Sequence, residues 1–594
     1  MNKEKTHMRQ VTSAILAVFF VVNLAIAQDA GTGTGAKRSK RSAKASSSVS
    51  AQLSQMQKSI EAQQQQIQQL VQQLQSRDQE VQRLQEQVNQ VQNTASQAQQ
   101  KADTAASQSA AQQKDVGAVR SDVSDLKDTV TNTALAVQET QKTLGESPLA
   151  LHFKGITITP GGFLAAETTW RQRGLASDVN TPFNAIPLPG SSQSNLSEFF
   201  GTGRQSRISL LAEGKLKNAK LTGYFETDFL SAGITSNNNE SNSYANRQRQ
   251  VWGQAAIHGW SFTGGQMWSL VTETRKGVDN RTEALPMTID AQYHVGFSWA
   301  RQYGFRVAKD FNDKVWLAFS VENPQTTFAA HGNASNFLLG APGTGGGLYN
   351  PTANYSFNSA PDIIAKAAFE PGWGHFEVFG VVSQFRDRVF PNGTAATPSA
   401  AGAFNDSRVG GGIGANVRGS LFHKHVDVGL HFLAGDGVGR YGTTGLPDAT
   451  VRPDGTLALV RAYQSLGTLE WHSAKWDVYA NAGGEYAART AYLNSTGKGV
   501  GYGSPLFSNS GCLDETLPGS NGFTPGGLAN CTGDTRNIIE GTFGFWYRFY
   551  KGAKGTVQWG PQYSYVVRNT WSGVGGDPHG VENMFFTSFR YYLP

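Results

Sequence analysis

The chain has 594 residues, 16% of them charged, a net charge of +6, 11% aromatics, 67 glycines and a mean hydropathy of −0.37. That length is too great for one ordinary compact domain, and so small an excess of positive charge makes no case for nucleic acid. Two cysteines exclude a disulfide framework, and no run of the mature chain reaches the roughly eighteen apolar residues of a membrane helix.

In chain order, residues 1–27 read as a signal peptide. Lys3, Lys5 and Arg9 precede an apolar core from Ala14 to Ala27, and Ala25-Ile26-Ala27 places small residues before Gln28. An uncleaved anchor is the alternative, but the core is short for a span. Residues 28–50 carry Lys37, Arg38, Lys40, Arg41 and Lys44 among Gly, Ala and Ser, the composition of a solvated, disordered segment. Residues 51–145 hold one heptad frame without a slip. Leu53, Ile60, Ile67, Leu74, Val81 and Val88 open the a positions; Val116, Val123, Val130, Val137 and Leu144 close them. A strict seven-residue repeat predicts a left-handed coiled coil, roughly 140 Å long at 1.5 Å per residue. Such a helix needs partner helices, so self-association is expected. Polar d residues (Gln63, Arg77) speak against a simple tight dimer without proving a trimer.

Gly145 and Pro148 end the helical pattern, and from residue 157 the period becomes two. The clearest case is the end of the chain. Ile539, Phe543, Phe545, Tyr547 and Phe549 alternate with Glu540, Thr542, Gly544 and Arg548; Phe585, Phe589 and Tyr591 alternate with Ser588 and Arg590. Runs of ten or more residues suit tilted transmembrane strands, which need about 9–11. Lipid offers no partner to an open strand edge, so the strands must close. Seven short turns are predicted, near Lys215–Asn218, His258–Gly259, Asp310–Asp313, Pro371–Gly374, Gly419–Lys424, His472–Lys475 and Lys551–Gly555. With eight longer loops they give a transmembrane β-barrel of 16 antiparallel strands over 151–594. Strands such as Leu221–Leu230, Val409–Val417 and Trp476–Tyr486 are placed to within a few residues. Gly560-Pro561 is expected to mark a bulge, since proline cannot donate to the ladder.

No catalytic, cofactor or metal motif stands out, so an enzyme is not expected. His423, His425 and His431 read as a solvated turn rather than a metal site. Cys512 and Cys531 share a Gly/Pro/Asn-rich loop and are expected to pair in an oxidising compartment. Charged residues in phase with polar neighbours belong on the lumen wall, where water spares them the cost of facing lipid. These are Arg306, Lys366, Arg408, Arg418, Arg548 and Arg590, with Glu226, Asp228, Glu322, Glu485 and Glu540. Two denser clusters, Arg204-Gln205-Ser206-Arg207 and Arg247-Gln248-Arg249, open strands from the outer side; arginine rows in a narrow pore favour anions. The connection between Trp268 and Phe297 carries Arg275, Lys276 and Arg281. It is either a plain outer loop or the pore's narrowest point.

Gly203-Arg204-Gln205-Ser206-Arg207-Ile208-Ser209, Ala219 to Phe229 (AKLTGYFETDF) and Gly264-Gly265-Gln266-Met267-Trp268-Ser269 resemble the DcaP-like trimeric porins, which are similar to the phosphate-selective porins. The match covers the first third of the barrel. The resemblance implies a homotrimer in the bacterial outer membrane, among its lipid and lipopolysaccharide, with the coiled coil in the periplasm. It implies a third long loop narrowing each pore, and arginines favouring small anionic solutes such as dicarboxylates. Arg204, Arg207, Arg247 and Arg249 carry over as pore-lining cations. One departure is the end, Tyr592-Leu593-Pro594, where barrels usually finish on an aromatic residue. The rival function is an envelope tether, whose coiled coil binds peptidoglycan while the barrel only anchors it.

Overall fold

The computed structural model describes residues 150–230, 244–342, 354–394, 396–515 and 528–594. The signal peptide, basic segment and coiled coil expected over 1–27, 28–50 and 51–145 lie outside the described residues.

Alternating residues make sixteen long strands among the described residues. They are β1 Ile156–Arg171, β2 Arg207–Leu216, β3 Ala219–Asp228, β4 Arg247–Ile257, β5 Trp260–Trp268, β6 Arg301–Phe311, β7 Val315–Glu322 and β8 Asp362–Phe369. Then follow β9 His375–Val389, β10 Phe404–Leu421, β11 Val426–Asp436, β12 Arg461–His472, β13 Trp476–Ala487, β14 Thr535–Gly552, β15 Gly555–Thr570 and β16 His579–Tyr592. Each pairs antiparallel with its successor. β16 returns to β1, from Phe163↔Tyr592 to Arg171↔Met584, so the sheet closes and no edge is left open. Short turns join the strands at one rim where the sequence predicts them, and several use left-handed residues: His258 (φ 49°) with Gly259 (φ 76°), Lys217 (φ 54°), Asn312 (φ 58°) with Asp313 (φ 57°). Positive φ matches turn twist to strand twist. The opposite rim carries eight longer loops, L1 to L8, of which L3 is residues 269–300.

Burial follows the two-residue period. On β10, Val409 and Ile413 are 71% and 74% exposed, while Asn416 and Arg418 are buried; on β15, Tyr563 and Tyr565 are exposed while Gln562 and Ser564 are buried. A continuous apolar belt of this kind is what a membrane solvates and water does not.

One expectation is corrected. The register runs unshifted past Pro561 (Gly560↔Ser588, Pro561↔Thr587), and the β14–β15 irregularities fall between Thr535 and Asn537 and between Arg548 and Tyr550 instead. The β14–β15 ladder is interrupted between Gly544↔Gln562 and Tyr547↔Trp559, which spares the proline a donor, and glycine is needed at 560 because a Cβ would lie 1.9 Å from the Phe545 carbonyl oxygen. The inner wall is not uniformly polar. Phe379, Val381, Ile538, Trp546, Val566 and Phe586 are buried inside, because L3 packs its own Leu270, Val271, Val278, Ile289 and Val295 against them, and the loop after β1 adds Leu175, Phe183 and Ile186.

Candidate functional site

L3 leaves β5 and returns to β6 through one closing bond, from the Ser269 N–H to the Ala300 carbonyl at 2.8 Å. Between them it folds into the barrel. Its tip is a tight hairpin: the Arg275 N–H donates to Thr282 O (2.6 Å) and the Ala284 N–H to Glu273 O (2.8 Å). The tip reaches the short-turn rim, where Lys276 Nζ meets Asp313 at 2.9 Å and the Gly277 N–H donates to Glu370 at 2.8 Å. The returning half lies flat on the wall. Gly296 (φ 89°) allows this, since a Cβ there would come within 2.0 Å of the Ser465 carbonyl oxygen.

The acidic wall residues hold this loop. Glu322 accepts the Leu270 N–H (2.8 Å), Glu540 the Val295 N–H (2.8 Å) and Glu485 the Gly296 N–H (2.9 Å). Glu377 accepts from the Thr274 N–H (3.1 Å) and hydroxyl (2.5 Å). A buried loop carries backbone groups that must find partners, and four carboxylates supply them. Gln205 adds a bond from its amide to the Ile289 carbonyl. It reaches inward because the strand pairing beside β1 breaks between Thr202 and Arg207.

The predicted cations fall into four groups. Arg306 and Lys366 are on the inner wall but covered by L3: Arg306 donates to Trp268 O (2.6 Å) and Asn280 (2.6 Å), Lys366 to Thr272 O (2.7 Å) and Glu377 (2.9 Å). They brace the loop, a role that period-two phasing could not separate from lining water. Arg275, Lys276 and Arg281 ride on the loop; Arg281 lies over the Tyr224 ring at 5.2 Å, and Arg275 sits 3.9 Å from Glu470. Arg408, half exposed, pairs with Asp406 at 3.1 Å.

The remaining four cluster. Arg247 holds Asp228 through two bonds (2.9 and 2.8 Å). Arg249 bridges Glu226 (2.6 Å), Asp228 (2.7 Å) and the Tyr293 hydroxyl of L3 (3.2 Å). Arg207 stands 3.7 Å from Glu226, and Arg204 pairs with Asp178 at 2.9 Å. Arg590, which the sequence also places on the lumen wall, completes the cluster. It pairs with Glu167 at 2.8 Å and lies over the rings of Phe163 (4.9 Å) and Trp546 (4.8 Å). Arg207, Arg249 and Arg590 line a cavity of about 370 Å³, with Leu285–Ala291 of L3 across from them. The charged side chains lining the cavity itself are three guanidiniums (Arg207, Arg249 and Arg590) and two carboxylates (Asp290 and Asp477).

On the outer side, Cys512 and Cys531 are joined by a disulfide.

No protein-family model and no curated protein matches the chain. Solved structures do match. The outer membrane channel DcaP of Acinetobacter baumannii superposes with a TM-score of 0.50 at 13% identity, over 74% of this chain and 99% of that one. The chain has that channel's fold. OmpT of Vibrio cholerae (TM-score 0.40, 10% identity, 75% and 100% covered) and an anion-selective porin from Comamonas acidovorans (TM-score 0.40, 8% identity, 74% and 100% covered) also match.

Proposed function

We propose that this protein is an outer-membrane porin passing small hydrophilic solutes by diffusion, with a preference for anions such as dicarboxylates. The observation that carries it is an inward-folded L3 facing the Arg207, Arg249 and Arg590 cluster across a cavity, inside a closed barrel with an apolar belt. Carboxylate groups are gripped in two places by guanidinium forks, and a surplus of positive charge lowers the barrier for anions. The DcaP-like fold supports the same reading. In it the barrel is a homotrimer held by the coiled coil in the periplasm, and Arg204, Arg247, Arg275, Lys276, Arg281 and Arg408 add positive charge along the path. Purified full-length protein in a planar bilayer is expected to give discrete conductance steps, with a reversal potential of anion sign in a salt gradient. Absence of steps sinks the porin; cation selectivity sinks the arginine assignment alone. The tether alternative predicts that the chain pulls down with peptidoglycan through residues 28–145, whereas a pure porin keeps its conductance when 28–145 are deleted.

A further inference from the structure

At the short-turn rim of the inner wall, far along the sequence from the arginine cluster, β11 and β12 place two carboxylates directly opposite each other: Asp427 pairs in register with Glu470. Like charges facing across a ladder repel. His472, two residues on and on the same face, turns its imidazole into the gap. Its Nε2 lies 3.5 Å from Asp427 Oδ2 and 3.5 Å from Glu470 Oε2. One ligand atom from each of the three falls within 4.8 Å of the others.

Glu470 is fully buried, and neither of its carboxylate oxygens accepts a hydrogen bond. A buried carboxylate left so is costly unless a positive charge meets it. Arg275 of the L3 tip stops at 3.9 Å and is itself 44% exposed, and the buried Arg418 guanidinium nearby is turned to Glu273 at 2.9 Å. The surrounding groups orient the other two residues. Asp477 Oδ1 accepts from His472 Nδ1 at 2.8 Å, and the Ser420 hydroxyl donates to Asp427 Oδ1 at 2.5 Å. Arg548 holds Asp477 in turn. A carboxylate on one imidazole nitrogen, with the other aimed at acidic oxygens, is the arrangement that fixes a metal-binding histidine.

We infer that Asp427, Glu470 and His472 form a site for a borderline divalent cation, of which Zn²⁺ is the model. Zinc bonds of about 2.0–2.2 Å to nitrogen and oxygen put tetrahedral ligand atoms about 3.4 Å apart, against the 3.5 Å of both histidine pairs. Rotation of Asp427, which is partly exposed, closes the remaining edge. One nitrogen and two carboxylate oxygens suit zinc better than the all-oxygen shells of calcium or magnesium. The partly exposed side chains of Asp427 and His472 leave the fourth position open to water, and the ion replaces Arg275 as the counter-charge of Glu470.

The test is calorimetric titration of ZnCl₂ into full-length protein, untagged, stripped with EDTA and held in detergent. Wild type is expected to take up one Zn²⁺ per chain saturably. Asp427→Asn and His472→Ala are expected to weaken uptake at least about tenfold; Asp477→Asn, which touches no ion, is expected to weaken it roughly tenfold to a hundredfold through the histidine it orients. His423→Ala, in the neighbouring turn, is expected to leave it unchanged. Wild type without saturable uptake overturns the assignment, as does equal affinity in Asp427→Asn, the mildest change and the one that tests the site if His472→Ala fails to fold.

Discussion

Arg207→Gln tests the anion preference with little structural disturbance. Arg207 stands 3.7 Å from Glu226, whereas Arg249 grips the same carboxylate at 2.6 Å and the Tyr224 hydroxyl donates to it at 2.9 Å. Removing Arg207 therefore leaves no orphaned buried charge. A sphere of 370 Å³ has a radius of about 4.5 Å, so an ion at the cavity centre feels each lining charge at about that distance. In water-like dielectric this is about 0.9 kcal/mol per unit charge, or nearly fivefold in occupancy. Salt near 0.1 M screens little over 4.5 Å, since its Debye length is about 10 Å. Anions lose that factor and cations gain it, so the anion-to-cation permeability ratio is expected to fall by between about fivefold and twentyfold. The assay is the reversal potential of single channels in a potassium chloride gradient, wild type against variant. A ratio unchanged within about twofold refutes the placement of Arg207 on the ion path.

Lys366→Met breaks a buried pair with Glu377 and strips the Thr272 carbonyl of its donor. It is expected to cost about 3–5 kcal/mol, read as earlier urea unfolding in detergent, and a loss below about 1 kcal/mol contradicts the bracing role. Ile413→Arg puts a charge on the outer belt and is expected to cost about 2–4 kcal/mol for folding into lipid vesicles if the site lies at mid-bilayer; a neutral result means that face does not meet lipid. In the outer loops, His331 Nε2 meets Asp534 at 2.9 Å, and this bond raises the imidazole pKa above its ordinary value. A raised folded pKa stabilises the protonated form, so the contribution is full below about pH 6.5 and fades as pH rises through the higher folded value. Protease nicking of the outer loops should therefore increase from acid to neutral pH in wild type, and His331→Ala should flatten that difference; an unchanged profile in the variant removes His331 as the cause.

The barrel was legible because its determinants are local. Side chains alternate across a strand whatever the strand packs against, so Ile539, Phe543, Phe585 and Phe589 could be assigned outward and Glu540, Arg548 and Arg590 inward from spacing alone. Turn residues such as His258-Gly259 carry their own backbone preference, and they set the strand count. Phase says only which side of the wall a residue faces, and the fate of the inward side depended on L3. Whether Arg306 and Lys366 meet water or loop, whether Glu485 and Glu540 repel solutes or hold backbone N–H groups, and whether Phe379 and Trp546 may sit inside a pore all follow from where residues 269–300 fold. The same holds for Asp427, Glu470 and His472. Their spacing in sequence carries no metal-binding signal, and only the register of β11 on β12 sets two carboxylates face to face with an imidazole beside them. Periodicity is a property of one strand at a time; pairing register and loop entry are decided between segments far apart in the chain, by which buried polar groups find partners.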